Sequence, residues 1–265
     1  MKSILRWAGS KAQLLPILSE RWELHQDRRY VEPFCGSASL FFSVTPGSAL
    51  LSDLNGELIS TWQELQRGCE AILECLHRIP LGERAYYALR KRKPSEMAPA
   101  EAAARFIYLN RFCFNGLYRT NRAGEFNVPY GSKHTRLQFD AEQLRQCSQL
   151  LQHAQVVQSD FEAIVDRTSS ADFLYLDPPY VTGEQRIFKA YGKDHFAPSD
   201  LERLFKALDR ADARGVRFLL SYANVLEAKP FVERWPSCLV RARRNIAGFA
   251  GARRHVDELL VTNVS

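Results

Sequence analysis

Asp177-Pro178-Pro179-Tyr180 sets a carboxylate, a stiffened backbone and a phenol side by side. The exocyclic amine of a nucleobase is a poor nucleophile, because its lone pair is delocalised into the ring. A carboxylate and a backbone carbonyl can each accept one of its N–H groups. They then favour the pyramidal amine whose lone pair is free to attack, which is electrostatic preorganisation rather than covalent catalysis. The prolines fix the direction of the Pro178 carbonyl. The Tyr180 ring offers a stacking face to a base taken out of a duplex. A lone Asp-Pro-Pro is equally at home as an ordinary strand end, so this motif takes its meaning from its neighbours.

Three other positions share its placement. Gly36 sits in a turn, Cys35-Gly36-Ser37-Ala38-Ser39, between a short strand (Tyr30–Phe34) and a helix that begins near Leu40. Such a turn lets a ligand approach the backbone, and the helix start favours negative groups. Asp53 ends the strand Ala49–Asp53, where an acid can bind both hydroxyls of a ribose or cap the following helix. Asp160 ends the strand Gln155–Asp160 and can accept from an adenine amino group or cap the helix that starts at Phe161. The dinucleotide pattern GxGxxG is absent, which counts against a nicotinamide or flavin enzyme.

The elements that must position these residues follow from the apolar runs. Strand, tight turn, helix and a strand with a terminal acid form a nucleotide-binding half-unit at the N-terminus. Phe173–Leu176 is a continuous apolar run that the two prolines must stop, presenting Asp177 at a strand's C-terminal end, where ligands bind in open α/β sheets. Further strands are expected at Val216–Tyr222, Leu239–Arg243 and Glu258–Val264, and a helix capped by Ser199 or Asp200 should run to about Arg214. Between the two α/β stretches the character changes. Helical stretches at Glu83–Lys93 and Ala100–Phe112 lead into aromatics punctuated by Asn115-Gly116 and Ala123-Gly124, read as a hairpin with loops. Val181–His195 reads as a loop.

The chain has 265 residues, 46% of them hydrophobic, enough for one α/β domain with a large insertion or for two domains. The net charge of +6 favours an anionic partner, nucleic acid first. Six cysteines without a CxxC pair read as reduced thiols, and six scattered histidines give no metal-ligand spacing. No apolar run has membrane-span length and the N-terminus lacks a signal-peptide core, so a cytoplasmic protein is expected.

Six ordered motifs resemble the Dam family of DNA adenine N6-methyltransferases. They are Arg6-Trp7-Ala8-Gly9-Ser10-Lys11, Val31–Ser39, Ser52-Asp53-Leu54-Asn55, the segment Asn110–Pro129, Asp177–Tyr180, and Arg253 with Val256–Leu260. The match is collinear over nearly the whole length. Ser10 and Ala38 stand where that family commonly has glycine, and Phe114 where it often has tyrosine.

The resemblance implies a Rossmann-like methyltransferase sheet with helices on both faces, plus an inserted, mainly helical DNA-recognition domain with a β-hairpin. Residues 1–56 and 152–265 would bind S-adenosylmethionine and catalyse, and residues 57–151 would recognise the target. Trp7, Lys11, Phe34, Gly36, Asp53, Asp160 and Asp177 would form the cofactor site, with Lys11 pairing with the methionine carboxylate. Asp177, Pro178, Pro179 and Tyr180 would be catalytic. Phe114, Asn115, Leu117, Arg119, Asn121, Arg122, Lys133 and Arg136 would contact double-stranded DNA, with apolar Phe114 and Leu117 occupying the space of a flipped base. The Arg90–Lys93 cluster reads equally as a phosphate contact or a solvated helix face. A monomer of bacterial or phage origin, a GATC-like site and a cognate restriction endonuclease belong to the same expectation. The same amine chemistry serves cytosine N4, RNA bases and protein amides, and a catalytically silent DNA-binding regulator is the alternative from another class.

Overall fold

A computed structural model describes residues 1–7, 9, 11–121, 123–131, 139–181, 196–243 and 255–264. Seven strands form one sheet: β1 Arg29–Glu32, β2 Ala49–Asp53, β3 Ala154–Gln158, β4 Asp172–Leu176, β5 Arg217–Ala223, β6 Ser237–Arg243 and β7 His255–Thr262, in the order β3-β2-β1-β4-β5-β7-β6. β1 to β5 pair in parallel, and β7 runs antiparallel between β5 and β6. From central β1 the chain first travels outward through β2 and β3, then returns to place β4 on the other side. The strand order therefore reverses between β1 and β4. The crevice at such a reversal is where ligands bind in open parallel sheets. The Gly36 turn leaves β1 and Asp177 leaves β4, so the reversal brings the two motifs together.

Alternate residues of each strand feed opposite faces, as the two-residue strand period requires. Tyr30, Leu51, Phe173, Tyr175 and Leu219 join one apolar cluster, while Val31, Leu50, Leu174, Phe218 and Leu220 join the other. β4 is buried along its whole length, which explains why it reads as an unbroken apolar run.

Ten α-helices occur among the described residues: α1 Leu15–Glu23, α2 Ser39–Val44, α3 Gly56–Arg67, α4 Glu70–Arg78, α5 Glu83–Arg90, α6 Pro99–Phe112, α7 Ala141–Leu151, α8 Phe161–Asp166, α9 Pro198–Ala213 and α10 Lys229–Arg234. Leu58, Trp62, Phe106, Phe112 and Leu144 of α3, α6 and α7 belong to the same continuous cluster as Leu51 and Phe173 of the sheet. The helices of residues 57–151 are thus packed directly onto one sheet face.

Two local expectations change. α9 starts at Pro198, with Ala197 in the capping position, and Asp200 reaches back to accept from the Ala197 N–H at 2.8 Å. Proline is preorganised for a first helical position, which sets the start ahead of Ser199. Among the described residues the hairpin after α6 consists of two isolated antiparallel bridges, Cys113↔Tyr130 and Thr120↔Phe126, without a strand ladder between them. The Asn115-Gly116 turn, with φ of 57° and 65°, interrupts the pairing, which resumes where the Asn127 N–H donates to the Arg119 carbonyl and the Asn121 N–H to the Glu125 carbonyl.

Candidate active site and recognition segment

Asp177 leaves the end of β4 beside a buried ammonium. Lys11 Nζ lies 2.7 Å from Asp177 Oδ1 and 3.0 Å from Glu258 Oε1, and donates to the Tyr180 hydroxyl at 2.5 Å. The Tyr180 hydroxyl in turn donates to Glu258 Oε1, which also accepts from Ser221 Oγ at 3.3 Å. Lys11 and Glu258 are 9% and 2% exposed, whereas Asp177 keeps 20% of its surface, so the catalytic candidate faces the crevice and its supports lie behind it. Burial by itself would lower the pKa of Lys11, but the charges of Asp177, Tyr180 and Glu258 outweigh it and hold the ammonium well above its ordinary range. Burial pushes the Tyr180 phenol up, helped by Asp177 and Glu258, so Tyr180 stays a protonated donor. Pro178 is buried and Pro179 exposed; the Tyr180 ring meets Tyr222 edge-on at 5.0 Å.

The Gly36 turn closes against β2. The Gly36 N–H donates to Asp53 Oδ2 at 3.0 Å, and the Asn55 N–H donates to Asp53 Oδ1 at 3.0 Å. Asn55, not Asp53, caps α3, which leaves Asp53 as a bridge between the turns after β1 and β2. Burial raises the Asp53 pKa, partly offset by these backbone donors. A Cβ on Gly36 would lie 2.7 Å from Trp7 Cδ1, and its φ of +45° is a second reason for glycine. Ala38 adopts the left-handed region as well, with φ of 50°, which is the physical reason that glycine suits its position. Trp7 stacks on Tyr118 at 5.5 Å. Phe34 stacks on Phe161 at 5.2 Å, next to Asp160. Asp160 Oδ1 accepts from the Glu162 N–H at 3.0 Å and from Arg203 at 2.7 Å, so the helix-capping role is realised.

Two buried polar groups stand near Asp177. The Tyr175 hydroxyl is buried and has no hydrogen-bond partner among the described residues. Glu32, buried on β1, is raised well above the usual carboxylate range by burial; the Tyr30 hydrogen bond opposes this, and the charges of Asp177 and Asp53 add to it. Asp177 and Glu258 share Lys11 as their buried ammonium, and Glu32 lies near enough to Asp177 and Asp53 for their charges to raise it further.

The recognition segment folds back on α6 after Cys113. Phe114 is 43% exposed, next to Asn115. Leu117 is half-buried against the core. Arg119 is exposed and its Nε donates to Asn127 Oδ1 at 2.7 Å. Asn121 builds the turn: its Oδ1 accepts from the Ala123 and Glu125 N–H groups, and its Nδ2 donates to Glu125. Arg122, Lys133 and Arg136 lie outside the described residues, as do Ser10, Arg253 and nearly all of the 181–195 loop. In the 90–93 cluster Lys91, Arg92 and Lys93 are exposed, and Arg90 is half-buried. Arg90 donates to the Val128 carbonyl at 2.9 Å, and Arg92 pairs with Glu101 at 2.7 Å.

A family model for D12 class N6 adenine-specific DNA methyltransferases matches residues 7–245, a span that takes in the Lys11, Gly36, Asp53 and Asp177 motifs. The chain belongs to this family. Among curated relatives, the Type II methyltransferase M1.LlaDCHI of Lactococcus lactis subsp. cremoris is 30% identical over 276 aligned residues, covering 99% of this chain and 95% of that protein. The DNA adenine methylase of Escherichia coli K12 is 28% identical, covering 98% of this chain and 94% of its own. The DNA N-6-adenine-methyltransferase of Escherichia phage P1 is 31% identical over 83% of this chain and 29% of its own length. Membership decides between the amine substrates left open by the motif: the enzyme is an adenine-specific DNA methyltransferase. Among its described residues, no helix is long and apolar enough to cross a membrane.

Glu258, read only as part of the Val256–Leu260 motif, and Arg203 carry no site role in the sequence reading. Glu258 looks like one more polar position in an alternating strand until β7 is inserted beside β5, where its register partner is Ala223. Arg203 has only a helical spacing in the sequence; its three carboxylate partners come from two helices and the turn before one of them.

Proposed function

We propose that the crevice between β1 and β4 transfers a methyl group from S-adenosylmethionine directly to N6 of an adenine flipped out of double-stranded DNA. S-adenosylmethionine supplies a methyl group on a positively charged sulfur. Trp7, Phe34, Gly36, Asp53 and Asp160 would hold it, with Asp53 accepting from the ribose hydroxyls and Asp160 from the amino group of its base. Lys11 stands with Asp177 and Glu258, so we assign it the task of fixing Asp177 Oδ1 in addition to any contact with the methionine carboxylate. Asp177 would accept one N–H of the target amine and the Pro178 carbonyl the other, leaving the nitrogen lone pair free to attack. Tyr180 would stack on the base, and the amine's surplus proton would leave to water after transfer. Residues 57–151 would read the target, with Phe114 and Leu117 beside the gap left by the flipped base and Arg119 at a base edge or phosphate.

The observation that carries this reading is the Lys11–Asp177 pair at the reversal point: a crevice-facing carboxylate held from behind by a buried ammonium at 2.7 Å. Asp177→Asn tests it. Methyl transfer should fall by at least ~100-fold while S-adenosylmethionine still binds in a calorimetric titration. Near-full turnover by the variant would remove Asp177 from the mechanism.

A further inference from the structure

Arg203 on α9 spreads its guanidinium over three carboxylates. Nη2 donates to Asp160 Oδ1 at 2.7 Å, Nε to Glu162 Oε2 at 2.8 Å and Nη1 to Asp200 Oδ1 at 2.8 Å. Its Cζ also lies 4.9 Å from the ring centroid of Phe161, and the Phe161 ring stacks on Phe34. Bracing α8 against α9 does not require this arrangement. Arg210, further along α9, already braces them by joining Glu162 and Asp166.

The consequence lies in what remains of Asp160. Both of its donors, the Glu162 N–H and Arg203 Nη2, address Oδ1. Among the described residues nothing donates to Oδ2, and the side chain is 36% exposed. One oxygen is pinned twice, and the other is left as an oriented acceptor beside the Phe34–Phe161 stack. An amino group on a purine satisfies a bare carboxylate oxygen; a carbonyl oxygen in its place is repelled by it.

We infer that Arg203 is a positioning residue that sets the base specificity of the methyl-donor site, pinning Asp160 Oδ1 and seating Phe161 so that Oδ2 selects a 6-amino purine over a 6-oxo purine. The inference rests on the assignment of Asp160 and Phe34 to the cofactor. It is tested by calorimetric titration of the full chain with S-adenosylhomocysteine and with its inosine counterpart. The wild type should prefer the adenosine form by about tenfold or more, the worth of one charge-assisted hydrogen bond. Arg203→Met keeps an apolar stem over Phe161 but drops the guanidinium. It should cut the preference to about threefold or less by weakening the adenosine form alone. Arg203→Lys, which retains a charge if the methionine variant fails to fold, should fall between the two. Arg210→Met should keep the wild-type preference.

Equal weakening of both ligands by Arg203→Met, or an undiminished preference, would reduce Arg203 to a helix brace and overturn the inference, provided Asp160→Asn still loses the preference. An Asp160→Asn variant that keeps the full preference would overturn the assignment of Asp160 itself, and the role of Arg203 with it.

Discussion

Three donors converge on a single carboxylate oxygen behind the catalytic motif: Lys11 Nζ, the Tyr180 hydroxyl and Ser221 Oγ all reach Glu258 Oε1. A charge this deeply buried persists only because it is paired and hydrogen-bonded. Glu258→Gln keeps an acceptor of the same shape but removes the charge that shares Lys11 with Asp177. Lys11 should then draw closer to Asp177 and compete with the target amine. We expect kcat to fall about tenfold to a hundredfold, the worth of one to two charged hydrogen bonds, with KM for the methyl donor nearly unchanged. An unaltered kcat in steady-state assays would deny Glu258 that role.

At Gly36 the constraint is steric, since a methyl group there meets the Trp7 indole at 2.7 Å on a backbone with φ of +45°. Gly36→Ala should cost about 2–4 kcal/mol in chemical denaturation and weaken donor binding. A stability change under about 0.5 kcal/mol would show that the turn tolerates a side chain. Asp177, Gly36 and Asp53 were legible because proline, glycine and strand-terminal acids have few other reasons to occur together. Glu258 was not, because its partners Lys11 and Tyr180 are distant in sequence and meet it only through the order of the sheet.

β1 carries a proton-linked term of its own. The folded pKa of Glu32 lies above its ordinary value, 4.5, so the native state binds more protons than the unfolded chain from that value upward. Stability must therefore fall as pH rises through that window, by up to about 1.4 kcal/mol per pH unit. Glu32→Gln is neutral at every pH and should lose this slope. Thermal melts of both proteins from about pH 5 to about pH 8 should diverge, the wild type losing ground as pH rises; parallel curves would mean that Glu32 is not held protonated.

In the recognition segment, Arg119→Ala should lower discrimination between the preferred site and single-base variants by about tenfold to a hundredfold, and leave donor affinity within about twofold. Discrimination that does not change in competition methylation assays would assign Arg119 elsewhere. The helices after the Gly36, Asp53 and Asp160 turns and those near 83–93, 100–112 and 199–214 were legible, as was β4 from its apolar run, whereas α1, α4, α7 and α10 were not. The hairpin was not, because glycine turns between aromatics signal a reversal without saying how many ladder bonds follow it. Arg90 was ambiguous for a related reason: only the fold reveals that its guanidinium joins the Tyr86 hydroxyl on the Val128 carbonyl.

The molecule as a whole is one seven-stranded sheet with helices packed on both faces, and its net charge is +6. Positive charge opposite a phosphate backbone makes binding dependent on salt. With about four phosphate contacts, affinity for duplex DNA should drop by about a hundredfold between about 50 mM and about 200 mM salt; a flat response would deny the basic surface a part in binding. The reversal of strand order was legible only in half, since the N-terminal half-unit and the strand before Asp177 could be read separately. Their adjacency depends on β4 returning to pair with β1, and no local pattern encodes that pairing. The central claim is that this crevice moves a methyl group onto adenine N6 through Asp177. Unmethylated duplex DNA incubated with methyl-labelled S-adenosylmethionine, then digested to nucleosides, tests it most directly, with Asp177→Asn run in parallel. The account predicts label in N6-methyladenine alone, lost in the variant. Label in a cytosine nucleoside, or label undiminished in the variant, would contradict it.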